Sequence, residues 1–136
     1  MPYFVVSSIA EALNRQAKSL KGSRLLVLGV AYKKDVDDLR ESPSLKIMEL
    51  LMGRGAQVEY NDPYFPTLHK MRHYDYSQMR SVELSPQALA GYDCVVIATD
   101  HSSYDYEAIV AYSRLIVDTR NATRQVTRGR EKIVHC

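Results

Sequence analysis

Three cations, Lys33, Lys34 and Arg40, crowd one short loop between an apolar run that closes on Gly29 and a helix start signalled by Ser42 and Pro43. Strand, charged loop and helix N-terminus in that order suit a phosphate. The free amides and dipole of a helix start favour an anion, and lysine or arginine adds full charge. The same loop holds Asp35, Asp37, Asp38 and Glu41, which invites a calcium reading. That reading fails on spacing. Counted from Asp35, the sixth position of a calcium loop needs glycine and is Arg40, and the twelfth needs glutamate and is Lys46. The acids instead pair with neighbouring cations or favour the helix start that follows.

Other chemistry is thinner. A dinucleotide fingerprint needs glycines that let the backbone approach a pyrophosphate, and here only Gly29 stands between the first strand and its helix. Asp62, after the second strand, is placed like the acid that holds a ribose, but without those glycines it reads as a turn or capping residue. His69 and His73 lie four apart without a third ligand at a diagnostic spacing, so no metal site is expected. Cys94 sits inside the apolar run DCVVIATD, where a strand buries it away from substrate. No nucleophile, base and orienting acid come together, and no catalytic residue is assigned.

These residues need a frame. Val5, Val6, Ile9, Leu13 and Ala17 fall on one face at helical spacing, predicting an amphipathic helix up to Leu20. Leu25 to Val30, Ala56 to Tyr60, Asp93 to Thr99 and Leu115 to Asp118 read as strands, with a last short one at Ile133 to His135. Between them, helices are predicted from Ser42 as N-cap to Gly53 or Gly55, from Ser85 through Ala90, and over Tyr106 to Tyr112. Residues 63–82 show no clean period and read as an irregular excursion. Apolar strands alternating with helices imply an α/β fold, a three-layer Rossmann-like unit with a mainly parallel sheet and helices on both faces. In such sheets ligands bind outside the carboxyl ends of the strands. The Lys33 loop, the Asp62 turn, the turn at Asp100 and His101, and the segment at Arg120 all lie on that rim.

The 136 residues suit one core, and no apolar run reaches the length of a membrane span. The first residues lack a basic start and carry Glu11 where a signal peptide stays apolar, so a cytoplasmic protein is expected. A formal net charge of +2 argues against nucleic acid as partner, although residues 112–136 hold six basic residues against two acidic ones.

The segments KGSRLLVLGVAYKKDVDDLRESPSLKIMELL, GAQVEYNDPYFP, YDCVVIATDH and IVDTRN run in this order along most of the chain. Together they resemble the C-terminal, UDP-binding domain of the UDP-glucose/GDP-mannose dehydrogenase family. The likeness is greatest to bacterial UDP-glucose or UDP-N-acetylglucosamine 6-dehydrogenases. The resemblance implies an NAD-dependent enzyme that oxidises the C6 alcohol of a UDP-sugar to a carboxylate in two hydride transfers, through a thioester on a catalytic cysteine. In the family that cysteine and the glycine-rich NAD site belong to preceding domains. The chain is therefore expected to be a fragment or short product, inactive alone, whose partners are UDP or a UDP-sugar and the missing N-terminal dehydrogenase domains.

By the same resemblance, Tyr32 and Lys33 match an aromatic and lysine pair that borders the nucleotide sugar, and Arg120 in DTRN matches an arginine on the substrate nucleotide. Arg40 matches an arginine that reaches toward the NAD phosphates. Residues 1–21 resemble a connecting helix and 22–136 the nucleotide-sugar-binding domain. With preceding helices gone, Val5, Val6 and Ile9 are expected to face water or a second copy, which makes a homodimer an expectation. The rival readings are a freestanding nucleotide-binding or regulatory module, and nucleic-acid binding through the basic C-terminal stretch.

Overall fold

Each apolar run expected to be a strand is one, and its side chains explain why. The computed structural model describes residues 2–40, 42–71 and 74–136. Its elements are α1 (Pro2–Arg15), β1 (Arg24–Leu28), α2 (Pro43–Gly53), β2 (Gln57–Asn61), α3 (Pro86–Ala90), β3 (Cys94–Ile97), α4 (Tyr106–Tyr112), β4 (Ile116–Asp118) and β5 (Ile133–His135). The strands form one parallel sheet in the order β2-β1-β3-β4-β5. Alternate residues of β1 serve opposite layers. Leu25 and Val27 pack with Ile9, Leu13, Met48 and Leu51 of α1 and α2, while Leu26 and Leu28 pack with Leu89 of α3 and Ile109 of α4. Both faces are covered, so the strand is apolar throughout rather than alternating.

The helix starts follow their caps. Ser85 Oγ accepts the Ala88 amide at 3.0 Å and Asp105 Oδ1 accepts the Ala108 amide at 3.1 Å, each before a short helix. Ser42 corrects its expectation. It occupies the N-cap position before Pro43, but its hydroxyl makes no cap bond and instead donates to the Val30 carbonyl at 2.6 Å. The serine thus ties the start of α2 back to the end of β1.

α1 departs from expectation in two ways. It stops at Arg15 rather than Leu20, because the Ala17 amide donates to Asn14 and the Lys18 amide to Leu13, with Ala17 at φ 59°. This closing pattern normally uses glycine at the left-handed position, so sequence gives no warning of it. Val5, Val6 and Ile9 are buried within the chain, at 0%, 1% and 0% exposure, in the layer they share with α2. The reason offered for a homodimer through these three residues therefore fails. The large apolar side chains that α1 leaves in water are Tyr3 and Phe4.

Among the described residues of 63–82 there is no helix or named strand, as expected. Two bridges stitch the excursion, Tyr60 with Ser81 and Thr67 with Arg80, so that it folds back beside β2. Among the described residues, no helix is long and apolar enough to cross a membrane. His73 and Glu41, named in the metal and calcium readings, lie outside the described residues.

Candidate functional site

The chain leaves β1 for β2 on one side and returns to β3 on the other, so the sheet order reverses around β1. In doubly wound sheets that reversal opens a crevice above the carboxyl ends. Here the crevice is filled. A Cβ on Gly29, whose φ is +89°, would lie 2.4 Å from Thr99 Cβ, so Gly29 serves the close approach of Thr99. Thr99 Oγ1 then donates to the Ala31 carbonyl at 2.9 Å. Above them, Asp62 from the end of β2 and His101 from the turn after β3 meet across β1, with Nε2 and Oδ2 2.8 Å apart and neither side chain exposed. The rings of Tyr64 and Tyr104 lie tilted against that of His101, with centroids 4.9 and 5.8 Å away, and the Tyr104 hydroxyl bonds Asn61.

The protonation pattern follows from the partners. Nδ1 of His101 accepts the Asp35 amide at 2.8 Å, so Nε2 carries the proton and donates it to Asp62. Asp62 Oδ2 also accepts the amides of Val30 and Ala31, and Oδ1 that of Tyr64. Burial alone pushes the Asp62 carboxyl up. The bonds from His101, Tyr64 and Val30 outweigh it and hold the group below the ordinary carboxylate value. Asp62 does make the turn bond expected of it, to Tyr64, but its larger part is to gather the start of the charged loop.

The loop after β1 is thus held at three places. Its start hangs from Asp62 and Thr99, and its end is tied by Ser42. Its middle is fixed by Asp35, whose carboxylate accepts the Ser102 amide at 2.8 Å and the Ser102 hydroxyl at 2.5 Å. Asp35 takes φ 60°, a left-handed conformation that costs a non-glycine residue about 1 kcal/mol or more. Between the pins at Ala31 and Asp35 lie Tyr32, Lys33 and Lys34, all exposed. Among the described residues, Lys33 has no carboxylate within ion-pair distance.

Arg120 stands on the same rim after β4, with β3 between it and the Lys33 loop in the sheet. Asp118 shapes its turn. One oxygen of that buried carboxylate accepts the amides of Arg120 and Ala122, the other the amide and hydroxyl of Thr123. Burial raises the Asp118 carboxyl, and the Thr123 hydroxyl together with the three amides brings it below its ordinary value. The Arg120 guanidinium is fixed by Nε, which donates to the Ala98 carbonyl at 3.0 Å. A cleft of about 260 Å³ on this rim is lined by Lys34, Asp100, Ser102, Tyr106, Arg124 and their neighbours.

Arg40 is placed apart from these groups. It lines a wider groove, about 1180 Å³, with Lys46, Phe65, His69 and Tyr74 beside the start of α2. Its guanidinium forks onto Asp38, both bonds at 3.1 Å, while remaining 89% exposed. Cys94 is fully buried, and burial pushes its thiol up to about 12, which removes it as a nucleophile.

With a closed crevice and cations on the rim, this domain differs from a standard dinucleotide binder, and comparison with known proteins accounts for the difference. A family model described as "UDP-glucose/GDP-mannose dehydrogenase family, UDP binding domain" matches residues 26–125. The chain belongs to this family. Its UDP-binding domain is 33% identical over 130 residues to the UDP-N-acetyl-D-mannosamine dehydrogenase of Pyrococcus horikoshii, covering 92% of this chain and 28% of that protein. It is also 33% identical over 119 residues to the UDP-glucose 6-dehydrogenase of Haloferax volcanii, covering 85% of this chain and 26% of that one. The crystal structure of an NDP-N-acetyl-D-galactosaminuronic acid dehydrogenase from Methanosarcina mazei superposes with a TM-score of 0.75 at 26% identity, over all of this chain and 28% of that one. The UDP-binding domain described here thus spans under a third of the length of each relative.

The pair missed by sequence reasoning is Asp62 and His101. Each stands just beyond a strand end, in NDP and in ATDH. Once β2 and β3 are known to flank β1, the two turns must face each other, and that was the available signal.

Proposed function

We propose that this chain supplies the wall of a UDP-sugar 6-dehydrogenase on which the nucleotide end of the substrate rests. Lys33 and Arg120 meet the negative charge of UDP, Tyr32 borders it, and Arg40 faces the phosphates of NAD from its separate groove. The observation that carries the reading is the placement of Lys33 and Arg120 on one rim, above a crevice closed by protein side chains. Arg120 is well suited to the task. With Nε already bonded to Ala98, its fork is set before a ligand arrives, and less side-chain freedom is lost on binding.

The residues fit NAD at one edge only. The crevice over β1 is taken by Thr99, His101 and Tyr104, so a dinucleotide finds no cradle there. Arg40 is 89% exposed at the edge of its groove, where a phosphate can approach its guanidinium. NAD supplies the hydride acceptor of the family reaction, and this chain contributes charge and position rather than a reacting atom. The sugar is left open, since the relatives named above act on three different ones.

A lone wall leaves much of its ligand in water, so affinity for UDP is expected to be about millimolar. Calorimetry of the chain with UDP checks this. Lys33→Ala and Arg120→Ala should each weaken binding about tenfold, one charge-assisted hydrogen bond apiece. Arg54→Ala, at the far end of α2, should not. Micromolar affinity, no heat at saturating UDP, or indifference to both substitutions would each refute the proposal.

A further inference from the structure

His101 has no exposed surface, yet its side chain, together with that of Asp62, joins the three turns around the crevice. Nε2 donates to Asp62, which gathers the amides of Val30 and Ala31, and Nδ1 accepts the amide of Asp35. Lys33 lies between those two attachments. The next residue, Ser102, takes the Asp35 carboxylate, so the turn after β3 grips the loop after β1 by backbone and side chain together. A left-handed Asp35 persists only where its surroundings hold it. Among the described residues, Nδ1 of His101 is the acceptor of that residue's amide.

We infer that His101 is a positioning residue: through Nδ1 it fixes Asp35, and so sets where Lys33 is presented to the nucleotide. The inference rests on the assignment of Lys33 to UDP. Two substitutions separate the two bonds. In His101→Gln the amide nitrogen reaches the place of Nε2 and keeps the bond to Asp62, but no acceptor remains for Asp35. In His101→Asn the side-chain oxygen stands near Nδ1 and keeps Asp35, while Asp62 loses its donor.

The test uses the isotope-labelled chain, with UDP titrations and amide hydrogen exchange. His101→Gln is expected to weaken UDP about five- to tenfold and to speed exchange at the Asp35 amide by about the same factor. His101→Asn should keep UDP affinity within about twofold, although it lowers the melting temperature. Equal losses of affinity in both variants, in step with their stability, would reduce His101 to a structural part and overturn the inference. So would unchanged exchange at Asp35 in His101→Gln. Failure of the unsubstituted chain to bind UDP counts against the proposed function instead, and exchange at Asp35 then judges the link to the loop. Should either variant not fold, ring nitrogen shifts of the unsubstituted chain decide. The Nε2–H tautomer supports the inference, and the Nδ1–H tautomer overturns it.

Discussion

Substituting Asp62 with asparagine changes one oxygen into an amide NH2 group at a buried carboxylate that accepts four hydrogen bonds. Oδ2 receives His101 Nε2 and Val30 N at 2.8 Å and Ala31 N at 3.2 Å, while Oδ1 receives Tyr64 N at 2.8 Å. The asparagine oxygen can keep Tyr64, which turns its amide NH2 toward three donors. Flipping the amide serves the three and strands the Tyr64 amide against the NH2. A hydrogen bond to a charged acceptor is worth about 1.5 to 3 kcal/mol, and a stranded buried donor costs about 1 to 3. Because the three donors share one oxygen, their losses do not add in full, and a total of about 3 to 5 kcal/mol is expected. Asp62 is 1% exposed, so solvent does not dilute the effect. For a chain of this length that corresponds to a melting point lower by about 10 to 20 °C. Urea titration at pH 7, followed by far-ultraviolet circular dichroism, measures it. A loss under about 1 kcal/mol at unchanged denaturant slope would refute the reasoning.

Gly29→Ala should destabilise by about 3 kcal/mol or more, combining a left-handed backbone with a methyl group driven into Thr99; a melting temperature within 3 or so degrees of the parent, by roughly the same scaling, would contradict the close approach. Asp62 and Asp118 are both held below the ordinary value of 3.8, so their stabilisation is complete above that value and is lost as pH falls through their lower folded values. Acid titration of stability should therefore be shallower for Asp62→Asn than for the parent, and identical slopes would oppose the assignment. Iodoacetamide should label Cys136 alone in the folded chain and both cysteines in urea, since Cys94 is buried and Cys136 exposed; rapid native labelling of Cys94 would mean that β3 opens.

Strands and helices were legible because their signals are local. The apolar runs of β1 and β3, the serine before α3, the span of α4, and the lack of period in 63–82 each read correctly from neighbouring residues. What escaped depends on partners far along the chain. Ser42 looks like a cap until Val30, twelve residues earlier, offers a carbonyl. Val5 and Ile9 look unpartnered until α2 is laid over the same layer. Asp62 and His101 belong to turns separated by the whole β3 unit, and only strand order brings them together. The end of α1 failed for another reason, because Ala17 adopts a conformation that its side chain disfavours and no residue type announces.

The excursion between β2 and α3 has a consequence for how the molecule behaves in company. A border strand of a sheet offers bare amides and carbonyls to any passing strand, which is a route to aggregation. Along β2, the Val82 amide donates to the Tyr60 carbonyl, Ser81 Oγ bonds the Asp62 amide, and the Asn61 side chain takes the Val82 carbonyl. The end of β2 nearest the rim is thus capped by its own chain. Lower down, Glu59 pairs with Arg24 and receives the Tyr92 hydroxyl, which puts charge along the part left open. A segment with almost no regular structure among its described residues therefore acts as a guard rail, keeping the sheet five strands wide at the carboxyl end of β2.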